Sequence, residues 1–193
     1  MAYCTLAQVK LNLAIPDTTT DDDDLLSAEI IRCQADIDAE TYRTFEAAAD
    51  STRYFDAIAD VDGADLILDA DLCAITSVTN GDSTTVTSSQ YVTTPRNGTP
   101  YRKLSIRSDA GIAWTYSTYH EGSIAIVGKW AYSETVPADI EQMCIRLVVW
   151  RYRQRENRAG DEDRTIIAGN ATILPSTMPA DIRHKLQTMR PIL

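Results

Sequence analysis

Apolar positions recur with helical spacing near both ends of the chain and crowd into short strand-like runs between them. Leu6 to Leu13 follows a capping box, with Thr5 as cap and Gln8 three residues on, and stops before Pro16. A longer helix is predicted over about Asp21 to Arg43, because Leu26, Ile30, Cys33 and Ile37 share one face beside Leu25. From Ser51 the pattern changes. Runs such as STRYFDA, ADLILDA, RKLSIRS and GSIAIVGKW are short, rich in β-branched and aromatic residues, and split by Gly- and Pro-containing turns. They predict five to seven strands between about Arg53 and Trp130, with Asn80-Gly81 as a hairpin turn that tolerates positive φ. Pro137 opens another helix, lined by Ile140, Cys144, Leu147, Val148 and Trp150 and ending at Gly160. Residues 161–179 lack a helical period and read as an extended arm. A short helix follows, with Pro179 near its start, Ile182 and Leu186 on one side, and Pro191 closing it.

The expected fold is therefore α+β. A small helical bundle is built from residues 1–52 and 137–160, an antiparallel β domain is inserted at 53–136, and residues 161–193 form an arm ending in a short helix.

Charge sharpens this picture. The net charge is −10 over 193 residues. Residues 1–52 carry 3 Lys/Arg and 11 Asp/Glu, whereas residues 137–193 carry 9 and 7. An acidic body argues against tight wrapping around nucleic acid, since phosphates are repelled. The basic excess lies in WRYRQRENR, where Arg151, Arg153, Arg155 and Arg158 fall on several faces. Two readings stay open there: a solvated helix end favoured by the dipole, or a contact with an acidic partner or with passing DNA.

The run Asp21 to Asp24 invites a metal reading, but counting a calcium loop from Asp17 puts Asp22 at the glycine position and Ala28 at the glutamate position. A helix start, capped by Thr20 or Asp21, fits better. Cys4, Cys33, Cys73 and Cys144 are scattered and read as small buried residues; His120 and His184 have no marked partners. No nucleophile elbow, phosphate loop, dinucleotide fingerprint or zinc spacing is present, so no catalytic, cofactor or metal residue is assigned. No apolar run is long enough for a bilayer, and a chain made in a reducing cytoplasm is expected.

The order of pieces carries a resemblance. The opening YCTLAQVKLNLAIPDTTTDDDDLLSAEIIRCQADIDAETYRTF ends in an Arg-x-Phe element, Arg43-Thr44-Phe45. RYFDA and LILDADLCAITSVT open the insertion; GSIAIVGKWAYSETVPADIEQMCIRLVVWRY and LPSTMPADIRHKLQTMRP complete the pattern. Together they resemble the head-tail connector (adaptor, or head-completion) proteins of tailed bacteriophages and related gene-transfer particles, larger members with an inserted β domain. Tyr42 and Ala131 stand where glycines are common in that family.

The resemblance implies a non-enzymatic virion protein, assembled in the bacterial host cytoplasm and located in the head-tail neck. It would form a ring, usually twelvefold, with neighbouring copies of itself, between the portal protein and a tail or stopper protein. DNA would pass without sequence-specific binding. Carried onto this chain, the portal-contact candidates are Ile166, Ile167, Ile173, Leu174, Ile182, Leu186, Ile192 and Leu193, apolar residues on an arm with little core of its own. Rival readings are a tail-completion protein, a plain cytosolic α+β protein, and a carbohydrate-binding or enzymatic module on the β insertion using Asp69, Asp71, Trp114 or Tyr116.

Overall fold

The computed structural model describes residues 2–47, 49–158, 166–168, 171–173 and 178–191, with the backbone alone over 156–158, 166–168 and 171–173. The fold is mixed α+β, and the chain divides into two compact units. One is Arg43–Val136; the other joins Ala2–Tyr42 to the described residues from Pro137 onward. The β unit thus begins ten residues before the predicted Arg53, and the C-terminal residues group with the helices.

In the helical unit, α1 (Leu6–Leu13) starts at the expected capping box: the Gln8 amide donates to Thr5 Oγ1 at 3.3 Å and the Thr5 amide to Gln8 Oε1 at 2.7 Å. It stops at Ala14, whose φ of 58° lets the Ala14 and Ile15 amides turn back onto the Leu11 and Lys10 carbonyls. The second helix, α2 (Asp23–Thr41), buries Leu26, Ile30, Cys33 and Ile37, the predicted face. Its cap position is Asp22, not Thr20 or Asp21, and no side chain caps it. It ends at Tyr42 with φ 55°, a left-handed position that explains why glycine suits this point.

Pro137 precedes α3 (Ala138–Arg158), and its carbonyl accepts from the Ile140 and Glu141 amides. Ile140, Met143, Cys144, Ile145, Leu147 and Val148 of α3 are buried. Gly160, the predicted end, lies outside the described residues. The arm contains a feature the sequence reading missed: β8 (Ile166–Ala168) and β9 (Ala171–Ile173) pair antiparallel, Ile166 opposite Ile173. The last helix, α4 (Ala180–Thr188), begins after Pro179 as expected.

The β unit holds seven strands: β1 (Ser51–Phe55), β2 (Val61–Asp62), β3 (Asp65–Leu72), β4 (Ala74–Thr79), β5 (Tyr91–Thr94), β6 (Tyr101–Ile106) and β7 (Ile124–Lys129). They form two antiparallel sheets, ordered β1-β7-β4 and β2-β3-β6-β5. One apolar cluster draws on both, with Phe55, Val78, Ile124 and Ile126 from the first and Leu66, Leu68, Leu104 and Ile106 from the second. Strict alternation of buried and half-buried residues along Ile124–Lys129 marks β7 as the central strand of its sheet.

The chain does turn back at Asn80-Gly81, but not as a two-residue hairpin: the Ser83 amide donates to the Asn80 carbonyl at 2.9 Å, the Asn80 amide to the Thr84 carbonyl at 2.8 Å, and Thr79 bridges Thr85 antiparallel. Neither Asn80 nor Gly81 has positive φ; Ser83 does, at 68°. Asn80 is buried and braces the loop, donating to the Ala113 carbonyl at 2.8 Å and accepting from the Thr115 amide at 3.1 Å. Gly81 is required for space, since a Cβ there would stand 2.3 Å from the Thr115 carbonyl oxygen.

Candidate functional site

The acidic run at the start of α2 does not converge on a point. Asp23 pairs with the buried Lys10 at 2.8 Å, and the same ammonium donates to the Thr19 and Asp17 carbonyls at 2.6 and 3.2 Å. Asp22 accepts from the Tyr152 hydroxyl at 2.7 Å. Asp21 and Asp24 point to solvent. Among the described residues no group of three or more His, Cys, Asp or Glu side chains is arranged to hold a metal ion.

The basic end of α3 separates into two kinds of arginine. Arg151 is an internal clamp: it pairs with Asp36, lies 3.9 Å from Glu29 and donates to Cys33 Sγ at 3.5 Å. Burial pulls its guanidinium toward deprotonation, and Asp36, Cys33 and Glu29 together raise it above the ordinary arginine value. Arg151 is therefore withdrawn from the surface set. Arg153 and Arg155 are exposed and have no partner among the described residues. The Arg158 side chain lies outside the described residues. Arg153 also lines a groove of about 460 Å³ along α1, α3 and the start of α4, with Trp150, Val149 and Pro179 on its apolar wall.

The tail candidates divide as well. Ile182 and Leu186 are 1% and 0% exposed, so they cannot offer apolar surface to a partner in this form. They are buried because α4 lies down on its own unit. Lys185 pairs with Asp139 at 2.8 Å, Arg146 with Asp181 at 2.6 Å, and Arg190 with Glu40 at 2.7 Å. Hydrogen bonding to Arg146 holds the Asp181 carboxyl below the usual range. Ile166, Ile167 and Ile173 lie on the β8–β9 ladder. Leu174, Ile192 and Leu193 lie outside the described residues.

In the β unit, the candidates for an enzymatic or sugar-binding site are not gathered at one place by any interaction between them. Asp69 pairs with Arg53 at 2.9 Å. Asp71 lies 2.8 Å from Arg102 and 3.5 Å from Arg43. A register shift between Ile67 and Leu72 breaks the alternation, so Asp69 is exposed while Asp71 is buried, and the two do not share a face. Trp114 is a core residue whose Nε1 donates to the Ala64 carbonyl at 2.9 Å. Tyr116 is exposed and meets the His120 ring edge-on at 5.8 Å.

His120 has a partner that the sequence did not mark. Its Nδ1 lies 2.9 Å from Asp56 Oδ2, 64 residues away. The amides of Ala59 and Ile58, with His120 in a smaller part, hold the Asp56 carboxyl below the usual range. Only the local half of this arrangement, an aspartate accepting from the amides two and three residues on, carries a sequence signal. Tyr54, Ile58, Tyr116 and Tyr119 of the β unit are exposed. Protein interfaces are enriched in tyrosine.

No protein-family model matches the chain, and no curated protein sequence matches it. Solved structures do match. A chain in the neck of an empty gene transfer agent (GTA) particle, computed with C6 symmetry, is 14% identical, with 97% of this chain and 89% of that chain covered and a TM-score of 0.58. A chain in the virion of a native GTA particle gives 14%, 97%, 89% and 0.57. A chain in the neck of a native GTA particle, computed with C12 symmetry, gives 13%, 97%, 90% and 0.52. At these identities the likeness is one of fold, and its coverage takes in residues of both units.

Proposed function

We propose that this chain is a structural protein of a phage-like virion neck, forming an adaptor ring between the portal and the tail or stopper protein. The observation that carries the reading is the fold likeness to chains of GTA neck and virion structures across 97% of the sequence, inserted β unit included. The C6 and C12 symmetries with which those necks were computed support a ring of copies. In this reading the protein does no catalysis. Its acidic balance suits a channel wall, because a surface that repels phosphate does not hold passing DNA.

Within the ring, the grip on the portal falls to the β8–β9 segment rather than to α4. A ladder of three residues per strand is marginal by itself, whereas α4 is already buried on its own helices. Ile166, Ile167 and Ile173 therefore remain portal-contact candidates, and Ile182 and Leu186 do not. Arg153 and Arg155 are left for an acidic partner, and the exposed Tyr54, Tyr116 and Tyr119 for a neighbouring protein.

The test is electron microscopy of the purified protein mixed with tail-less, DNA-filled capsids or isolated portal from the same particle. A ring stacked on the portal is expected. An intact portal with no added density would overturn the adaptor reading.

A further inference from the structure

Two of the four cysteines are aimed at each other across the helical unit. An S–H···S hydrogen bond links Cys4 and Cys144 at 3.4 Å, although they are 140 residues apart in sequence. Both are free thiols and both are buried, at 3% and 0% exposure. The other two face different groups: Cys33 Sγ accepts from Arg151, and Cys73 Sγ donates to the Lys129 carbonyl at 3.3 Å in the β unit.

We propose that Cys4 and Cys144 are a site of oxidative cross-linking, converted by a low-molecular-weight disulfide into an internal disulfide that pins the segment ahead of α1 to α3. The sulfurs stand 3.4 Å apart and must close to about 2.05 Å to bond. Cys4 sits two residues before α1, outside the helix, so exposing its thiol breaks no hydrogen bond of the helix ladder. Tyr3 beside it is buried and bonded to Asp38, which returns the segment to the same place after each opening.

The chemistry is two thiol–disulfide exchanges. The Cys4 thiolate attacks one sulfur of the small disulfide; that S–S bond breaks, a mixed disulfide forms, and one small thiolate leaves. Cys144 then gives its proton to solvent and attacks Cys4 Sγ, expelling the second small thiolate. The protein loses two protons and two electrons, and the small disulfide becomes two thiols. Cys4 attacks first because it lies outside the helices, whereas Cys144 is fully buried within α3. Burial pushes Cys33 up to about 12, which leaves it a poor competitor.

In a reducing cytoplasm the pair stays open; after release it would close. That use rests on the neck reading, but the cross-link does not, and its test involves no portal.

The full chain is incubated with oxidised or with reduced glutathione, acid-quenched, unfolded, and alkylated with N-ethylmaleimide. Intact mass should show four adducts after the reduced treatment and two after the oxidised one, with a Cys4–Cys144 peptide on mapping. The C33S/C73S double variant, which keeps the pair, should fall from two adducts to none, and its thermal midpoint should rise on oxidation. Four adducts persisting after oxidised glutathione, a cross-link through Cys33 or Cys73, or glutathione adducts alone would each overturn the proposal.

Discussion

The guanidinium carbon of Arg190 stands 5.3 Å over the ring of Tyr42. Its Nε donates to the Glu40 carbonyl at 2.7 Å, and its Nη2 pairs with the Glu40 carboxylate at 2.7 Å. One side chain just beyond α4 thus covers the left-handed stop of α2. Glycine would serve the backbone there, but only a ring gives Arg190 something to lie on.

This relationship and the apolar face of α4 contribute unequally. Arg190→Ala removes a cation–π contact worth about 0.5–1 kcal/mol and a half-exposed ion pair worth about 0–1 kcal/mol. Leu186→Ala opens a cavity under a fully buried side chain and should cost about 2–5 kcal/mol. Urea midpoints, with amide exchange read over Ala180–Thr188, check the order. An Arg190→Ala loss as large as that of Leu186→Ala would mean that charge, rather than burial, holds α4 down.

Ala14 is an exposed residue at φ 58°. A left-handed non-glycine residue is disfavoured by roughly 1–2 kcal/mol, and Ala14 is exposed, so burial of its methyl offsets little of this. Ala14→Gly should raise stability by about 1 kcal/mol, the gain being trimmed by the greater freedom of glycine in the unfolded chain. Chemical denaturation of the two proteins decides it, and an unchanged or lower midpoint would contradict the strain argument.

Asp71 is the common counter-ion of Arg43 and Arg102, and Arg43 is itself stacked 5.2 Å from the Tyr132 ring. Burial lowers the Arg43 pKa, with the Asp71 charge acting against it. Asp71→Asn leaves two guanidiniums facing each other without a carboxylate, which should cost about 3 kcal/mol, the low end for breaking a buried pair because Arg102 is partly in water. Asp69→Asn, on the exposed neighbour, should cost less than about 1 kcal/mol. Equal losses would show that the difference in burial does not matter.

Acid stability follows from the lowered carboxylates. Hydrogen bonds from Lys103 and Ser105 hold Asp65 below its ordinary value. A folded-state pKa below the unfolded value of about 3.9 gives stability that is present above that pH and lost as pH falls through the folded pKa. Between pH 5 and pH 3 the wild type should therefore lose more stability than Asp65→Asn, as measured by urea midpoints at the two pH values. Parallel losses would remove Asp65 from the acid-sensitive set.

How much of this was legible in the sequence depended on distance along the chain. The Thr5–Gln8 box, the buried face of α2, the entry to α3 after Pro137 and the shared face of Ile182 and Leu186 all rest on contacts within about one helical turn, so spacing carried them. Asn80-Gly81 shows the limit. The pair predicts a turn, and the chain does turn there, but the structure also uses Asn80 for hydrogen bonds to residues 113 and 115 and needs glycine at 81 for want of space. The fate of Ile182 and Leu186 had the same cause: amphipathicity marked a face to be buried without saying whether the cover was this chain or another.

Local pattern alone gives the helices, the change to strands near Ser51 and the α+β class, because hydrogen bonds and periodicity inside an element leave a local imprint. Only the tertiary structure decided that β4 joins β7 while β5 joins β6, that Asp71 gathers Arg43 and Arg102, that His120 meets Asp56, and that Cys4 faces Cys144. Apart from β5 and β6, whose paired residues are 9 to 15 apart, those partners lie from about thirty to 140 residues apart. Which residues meet across such distances depends on register and packing of whole elements, and no local pattern records it.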